Sequence, residues 1–152
     1  MWKRLLSGVW RRLPKRARRM GVLLTQSRFT VTVGAVILDQ QNRVLLLQHR
    51  FRPGSGWGIP GGFINPQEPA EDAIRRELRE ETELEVEALE IAVVSTLQKY
   101  QQVEIIFRAR PVNEARPSNI EILQAVWFEL NALPSDLPTY ERTLIQRATQ
   151  NL

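Results

Sequence analysis

Three glutamates, Glu77, Glu80 and Glu81, stand three and four residues apart in a stretch where Ala70, Ala73, Ile74 and Leu78 recur at helical spacing. On a helix this places the carboxylates on one face, with neighbouring β-carbons about 5–6 Å apart. Like charges at that separation destabilise a helix by roughly 0.2–0.5 kcal/mol per pair, so something should offset them. A hard divalent cation does so, because Mg²⁺ takes oxygen ligands and bridges carboxylates to substrate phosphates. A bare Glu-x-x-Glu-Glu is more often a solvated helix face, the role expected of Glu83, Glu85, Glu87 and Glu90. Upstream, Arg50 to Gly62 gathers five glycines and two prolines (Gly54, Gly56, Gly58, Gly61, Gly62; Pro53, Pro60). Such backbone freedom suits a loop bent closely around a ligand. Arg50 and Arg52 enter that loop with guanidinium groups suited to phosphate, although solvated loop positions would account for them equally well.

The elements that must position these groups follow from periodicity and turn chemistry. The acidic helix runs from Pro69 to about Thr82, with Pro69 in its first turn. Phe29 to Leu38 and Arg43 to His49 read as strands joined by the turn Asp39 to Asn42, a hairpin entering the core. Val86 to Leu97 and Val103 to Ala109 read as antiparallel neighbours around Lys99 to Gln102. Asn113 to Asn119 is a polar loop, Ile122 to Leu130 a further strand, and Pro138 opens a closing helix with Leu144, Ile145 and Ala148 on its apolar side. Strands, helix, strands, helix in that order predict an α/β fold, a mixed sheet covered by helices.

At 152 residues, 43% hydrophobic and 25% charged, the chain has the composition of one globular domain. There is no cysteine, which excludes disulfides, thiolate metal sites and a cysteine nucleophile, and suits a reducing, cytoplasmic setting. No apolar run approaches the roughly 20 residues of a spanning helix. The net charge of +4 conceals a division: residues 1–28 carry nine Lys or Arg and no acid, and residues 29–152 carry 12 basic against 17 acidic residues. The expected organisation is a basic leader, 1–28, and a catalytic domain, 29–152. Within the leader, Trp2, Leu5, Leu6, Val9, Trp10 and Leu13 form an apolar stripe among arginines, a helix that Pro14 should end before a second basic segment.

Gly62, five residues, Glu68, seven residues, then Arg76-Glu77-Leu78-x-Glu80-Glu81 resembles the Nudix box, and Trp57 to Gly62 resembles that family's lead-in. The box covers 23 residues to Leu84, with every polar position matched; the one departure is Glu83, where the family places glycine at the left-handed helix exit. The resemblance implies a Nudix-like α/β/α sandwich and water attacking a phosphorus while Mg²⁺, or Mn²⁺ in its place, binds the diphosphate oxygens. By the same resemblance Glu80 and Glu81 are the primary ligands and Glu77 a further ligand or the base. Gly61 brings a main-chain carbonyl near the metal, and Arg76 with Glu68 fixes the loop onto the helix. Family members often use another acid from a later loop; Glu121 is the candidate and Glu104 the reserve.

The implied substrate is a nucleoside diphosphate linked to another moiety. Tyr100, sixteen residues beyond Leu84, is similar to the pattern of members acting on diadenosine polyphosphates, where ADP-ribose-type members tend to have proline, and this ranks dinucleoside polyphosphates ahead of ADP-ribose or another nucleotide sugar. An ordinary turn residue would explain it equally well. His49, the one histidine, reads as structural, and Trp57 as loop packing rather than a base-stacking surface. Competing readings are a nucleotide-sensing domain without catalysis and an RNA-end pyrophosphohydrolase. The acidic remainder weighs against a nucleic-acid partner. For the leader, packing against the domain or across a homodimer ranks ahead of membrane-surface contact through residues 2–20, with organelle import also open.

Overall fold

The computed structural model describes residues 14–150. It contains three helices, α1 (Lys15–Thr25), α2 (Ala70–Thr82) and α3 (Thr139–Thr149), among those residues. The strands are β1 (Thr30–Ile37), β2 (Val44–His49), β3 (Trp57–Gly58), β4 (Gly61–Phe63), β5 (Val86–Leu97), β6 (Gln102–Pro111) and β7 (Ile122–Phe128). They form a four-stranded sheet, β4-β1-β6-β5, and a three-stranded sheet, β3-β2-β7. β1 and β6 run parallel, with Thr32 beside Glu104 and Gly34 beside Ile106, and the other pairings are antiparallel.

The expected hairpin of the first two strands opens out instead. A single bridge, Leu38 to Val44, joins them, and each strand becomes an inner strand of its own sheet. The reason lies in their composition. From Val33 onward β1 is continuously buried, as are Val44 to Leu47 in β2, and a strand apolar on both faces needs neighbours and covering layers on both sides. The connecting turn is held by Asp39, whose carboxylate accepts from the main-chain N–H groups of Gln41 (2.9 Å) and Arg43 (2.8 Å) and from the Arg43 side chain (2.7 Å).

Alternation then divides the core. Val33, Ala35 and Ile37 of β1 pack with Leu45, Leu47 and Phe107 beneath Ala73, Ile74 and Leu78 of α2. Val36 and Leu38 pack with Val44, Leu46 and Ile106 beneath Leu144, Ile145 and Ala148 of α3. Helices therefore cover both sides of the strand layer. Fully burying a side chain such as Leu78 contributes about 1.5–3 kcal/mol, which holds the acidic helix rigidly in place.

The helix exit keeps the geometry that the missing glycine would favour. Glu83 has φ 56° and ψ 18°, its N–H bonds Arg79 O (3.0 Å), and the N–H of Leu84 reaches Leu78 O (3.3 Å). The Glu83 bond to Arg79 O is the 5→1 closure of a left-handed helix ending, and Leu84 just beyond it is buried. Glu83 adopts a left-handed conformation that disfavours any side chain, so the departure from the box is tolerated as strain rather than accommodated by another exit.

Residues 1–13 and the apolar stripe placed there lie outside the described residues. The expected second basic segment is α1, which buries none of its side chains and leaves Met20, Leu23 and Leu24 exposed. Among the described residues no helix is long and apolar enough to cross a membrane.

Candidate active site

The apolar stripe of α2 decides how its glutamates are displayed. Glu81 follows Ile74 and Leu78 on the inward side and is buried, with its side chain 10% exposed. Glu77 borders the stripe at 15%, and Glu80 faces outward at 57%. The three carboxylates thus grade from core to solvent around one flank of the helix. Glu81 Oε2 accepts the main-chain N–H of Gly61 at 3.1 Å, which ties the glycine-rich loop to the helix. Burial pushes the Glu81 carboxyl up to about 8; the Gly61 N–H opposes the shift, and the nearby charge of Glu77 adds to it.

Arg76 carries the opposite charge. It donates to Glu68 through Nε (2.8 Å) and Nη2 (3.0 Å), to Phe63 O (3.0 Å), to Glu77 (2.7 Å) and to Glu80 (3.3 Å). Glu68 in turn accepts Asn65 N–H at 2.9 Å, and the arginine bonds lower its carboxyl to about 2. One planar guanidinium therefore joins loop and helix. Among the described residues no three acidic or imidazole side chains already converge into a closed metal cage. The donor chemistry nevertheless fits a hard divalent ion, because carboxylate oxygens are its preferred ligands. Gly62 leaves the necessary room: a Cβ there would run into the Glu77 carboxylate. Gly61, at φ 148°, admits no side chain either, because a Cβ there would run into the Val33 carbonyl oxygen.

The NUDIX domain matches residues 28–148, four fifths of the sequence. The chain belongs to the Nudix family. It is 32% identical over 112 residues to an 8-oxo-dGDP phosphatase of Homo sapiens, covering 70% of this chain and 34% of that protein. It is 30% identical over 104 residues to an ADP-ribose pyrophosphatase of Methanocaldococcus jannaschii, covering 64% and 61%. The chain thus spans about a third of the first of these relatives and under two thirds of the second. Among solved structures, a MutT NUDIX hydrolase from Burkholderia pseudomallei superposes with TM-score 0.71 at 28% identity, covering 81% of this chain and all of the other. A NUDIX hydrolase from Nitrosomonas europaea gives 0.73 at 27%, covering 83% and 73%.

Beside the Nudix helix lies a cleft of about 230 Å³, floored by Thr32, Gly34, Gln102, Glu104 and Ile106 and walled by Ile59, Phe63 and Leu144. Gly61 and Gly62 form its border with the carboxylates. Arg52 enters this cleft, as does Glu104, the reserve acid. Glu121 sits at the start of β7, close enough for its charge to act on Glu81. Arg50 is turned elsewhere: its Nε donates to Ile120 O (3.0 Å), and its main chain pairs with Glu121 O (2.7 Å). Tyr100 is 63% exposed on the short 3-10 turn between β5 and β6, outside the cleft lining. His49 is half-buried and lowered to about 4 by desolvation and by Arg52, so its imidazole is neutral at pH 7. At 3.9 Å from Glu81 it forms neither an ion pair nor a hydrogen bond, and its Nε2 has no partner. Trp57 packs edge-on against Phe128, with ring centroids 5.3 Å apart.

Sequence reasoning missed Glu141. This residue of α3 accepts from Arg52 Nη1 (3.1 Å) and from the main-chain N–H of Ile59 (3.2 Å), and burial raises its carboxyl. It clips the closing helix to the glycine-rich loop just ahead of Gly61. The available signal was weak: an acid at the start of a helix is ordinarily read as favouring the helix dipole.

Proposed function

We propose that the chain hydrolyses a phosphoric anhydride, cutting the diphosphate linkage of a nucleoside diphosphate joined to another moiety, with Mg²⁺ as its cation and Mn²⁺ as a substitute. The observation that carries this reading is buried Glu81, anchored by the Gly61 N–H on the same helical flank as Glu77 and Glu80. A carboxyl held out of water, with its charge disfavoured and an acidic neighbour on either side, gains most when a divalent cation arrives. When bound, that cation lowers the pKa of attacking water and screens the phosphoryl charge.

The remaining work falls to the chain. Glu80 and Glu81 hold the cation, and Glu77 either assists them or takes the proton from water. Glu121 is the additional acid facing Glu81. Arg76 and Glu68 keep the loop seated on the helix, and Glu141 holds Arg52 at the edge of the phosphate-facing bend. The relatives named as an ADP-ribose pyrophosphatase and an 8-oxo-dGDP phosphatase support the reaction class. A small nucleotide is the partner, and the cytoplasm supplies it.

The test is a panel of nucleoside diphosphates, nucleotide sugars and dinucleoside polyphosphates, incubated with Mg²⁺ or Mn²⁺ in ¹⁸O-water. The expected result is cleavage within the diphosphate with label in one phosphate product, which also identifies the attacked phosphorus. Binding of the same compounds without any turnover would instead favour a nucleotide-sensing domain.

A further inference from the structure

The basic leader takes no part in the proposed chemistry. Residues 1–28 hold nine Lys or Arg and no acid, and α1 is the described helix within them. Helical spacing sorts its side chains. Ala17, Met20 and Leu24 stand three and four residues apart on one side, with Leu23 next to them, and Lys15, Arg18 and Arg19 fall on the other. Arg16 flanks the apolar stripe, where its stem can lie along apolar surface with the charge held outward. A surface helix of a globular domain turns such a stripe to the core. α1 does not: it buries no side chain, and Met20 and Leu24 are 58% and 77% exposed.

The same character continues into the domain. Exposed Arg28 and Phe29 lead from α1 to β1, whose first N–H, at Thr30, bonds Gln101 O at 2.9 Å. That bond sets the turn between β5 and β6 beside the leader. The turn presents Lys99 with its Nζ 5.4 Å from the Tyr100 ring centre, both side chains exposed. Cationic groups and rings with one apolar and one polar end suit the boundary between water and lipid.

An occupant must satisfy the charge and the stripe together. A polyanion such as RNA takes the arginines and leaves Met20 and Leu24 in water. A second leader carries the same nine charges and repels the first. An anionic bilayer takes the arginines at its headgroups and the apolar stripe just beneath them. Among the described residues no helix can cross a membrane, so the contact is with the surface.

We infer that α1 lies on an anionic lipid bilayer, with Ala17, Met20 and Leu24 in the interface and the Lys99–Tyr100 turn against the same surface. This holds whether or not the α2 carboxylates serve hydrolysis.

The test is co-sedimentation of the full chain with vesicles of phosphatidylcholine alone and of phosphatidylcholine mixed with phosphatidylglycerol. The native protein should bind the anionic vesicles about tenfold or more tightly than the neutral ones, and added salt should weaken that binding. Arg16→Gln with Arg19→Gln should cost about fivefold per charge removed. Met20→Gln with Leu24→Gln should cost about tenfold at unchanged charge, and Met20→Leu with Leu24→Met should retain binding. Lys99→Gln with Tyr100→Ser should weaken it severalfold. Denaturation midpoints should stay level across the α1 variants, since none of those side chains is buried. No binding to either vesicle, equal binding to both, or binding that survives the glutamine changes at Met20 and Leu24 overturns the inference. So does poly(U) bound as tightly as anionic vesicles and indifferent to those two residues, which would mark a nucleic-acid contact. A native dimer that the same two changes split, without vesicle binding, overturns it in favour of a second copy.

Discussion

Glu81 carries opposing demands: the helix stripe buries it, and the chemistry proposed for it needs a charge. With its carboxyl pushed up to about 8, the folded chain retains a proton that the unfolded chain releases near the ordinary value of 4.5. This contribution to stability is therefore fully present below about 4.5 and is lost as pH rises through about 8. Chemical denaturation in a chelator should show the native protein losing stability relative to Glu81→Gln across that window, with Mg²⁺ restoring it at the alkaline end. Parallel pH profiles for the two proteins would refute the assignment. Glu81→Gln itself should fold, since an amide still accepts the Gly61 N–H, yet kcat should fall by about two or more orders of magnitude. At this scale the sequence was informative where a motif fixed the spacing, as for Glu68, Arg76, Glu77 and Glu81. It was silent on Glu141, whose partners Arg52 and Ile59 are more than 80 residues away in the chain. Tyr100 and Arg50 are outside the cleft lining, Tyr100 on the exposed turn between β5 and β6 and Arg50 with its Nε on Ile120 O, and residue type alone could not place them.

Among the elements, α2 is set by its neighbours at both ends. Replacing Glu83 by glycine should relieve the left-handed exit and stabilise the protein by about 1 kcal/mol, measurable as a shifted denaturation midpoint with unchanged slope. No gain would mean that Glu83 makes a compensating contact in the folded state. At the other side of the site, Glu141→Ala strands both the Ile59 N–H and the Arg52 guanidinium in a half-buried setting. A loss of about 1–3 kcal/mol is expected, with Glu141→Gln recovering only part of it because its one amide oxygen can accept from one of the two donors. The helices were readable because their apolar period and flanking prolines agree. Both proline-capped starts and the buried trio Leu144, Ile145 and Ala148 stand where periodicity placed them. Short β3 and β4 were not, because a glycine-rich segment reads as loop until a neighbouring strand supplies its hydrogen bonds.

For the whole molecule, an α/β layer with helices on either side was legible from element order, but the division of its strands was not. β1 and β6 become parallel neighbours although five other elements separate them along the chain, a pairing that local pattern does not encode. The apparent hairpin is split between two sheets because both its strands are buried on both faces. The leader belongs to this scale too. Because α1 buries no side chain, its part of a deletion of residues 1–25 should cost the domain little, and a large fall in the denaturation midpoint would show that the segment ahead of α1 packs on the domain. Solution mass and liposome co-sedimentation of the same deletion separate dimerisation from membrane-surface contact. The most direct test of the proposed chemistry is a Mn²⁺ titration, followed by the free-ion paramagnetic resonance signal, on the native protein and on Glu81→Gln. Saturable uptake by the native protein, strengthening from about pH 6 to about pH 9 and weakened roughly tenfold or more in the variant, is the predicted result. Equal uptake by both proteins, or none by either, would contradict the proposal that these glutamates hold the cation.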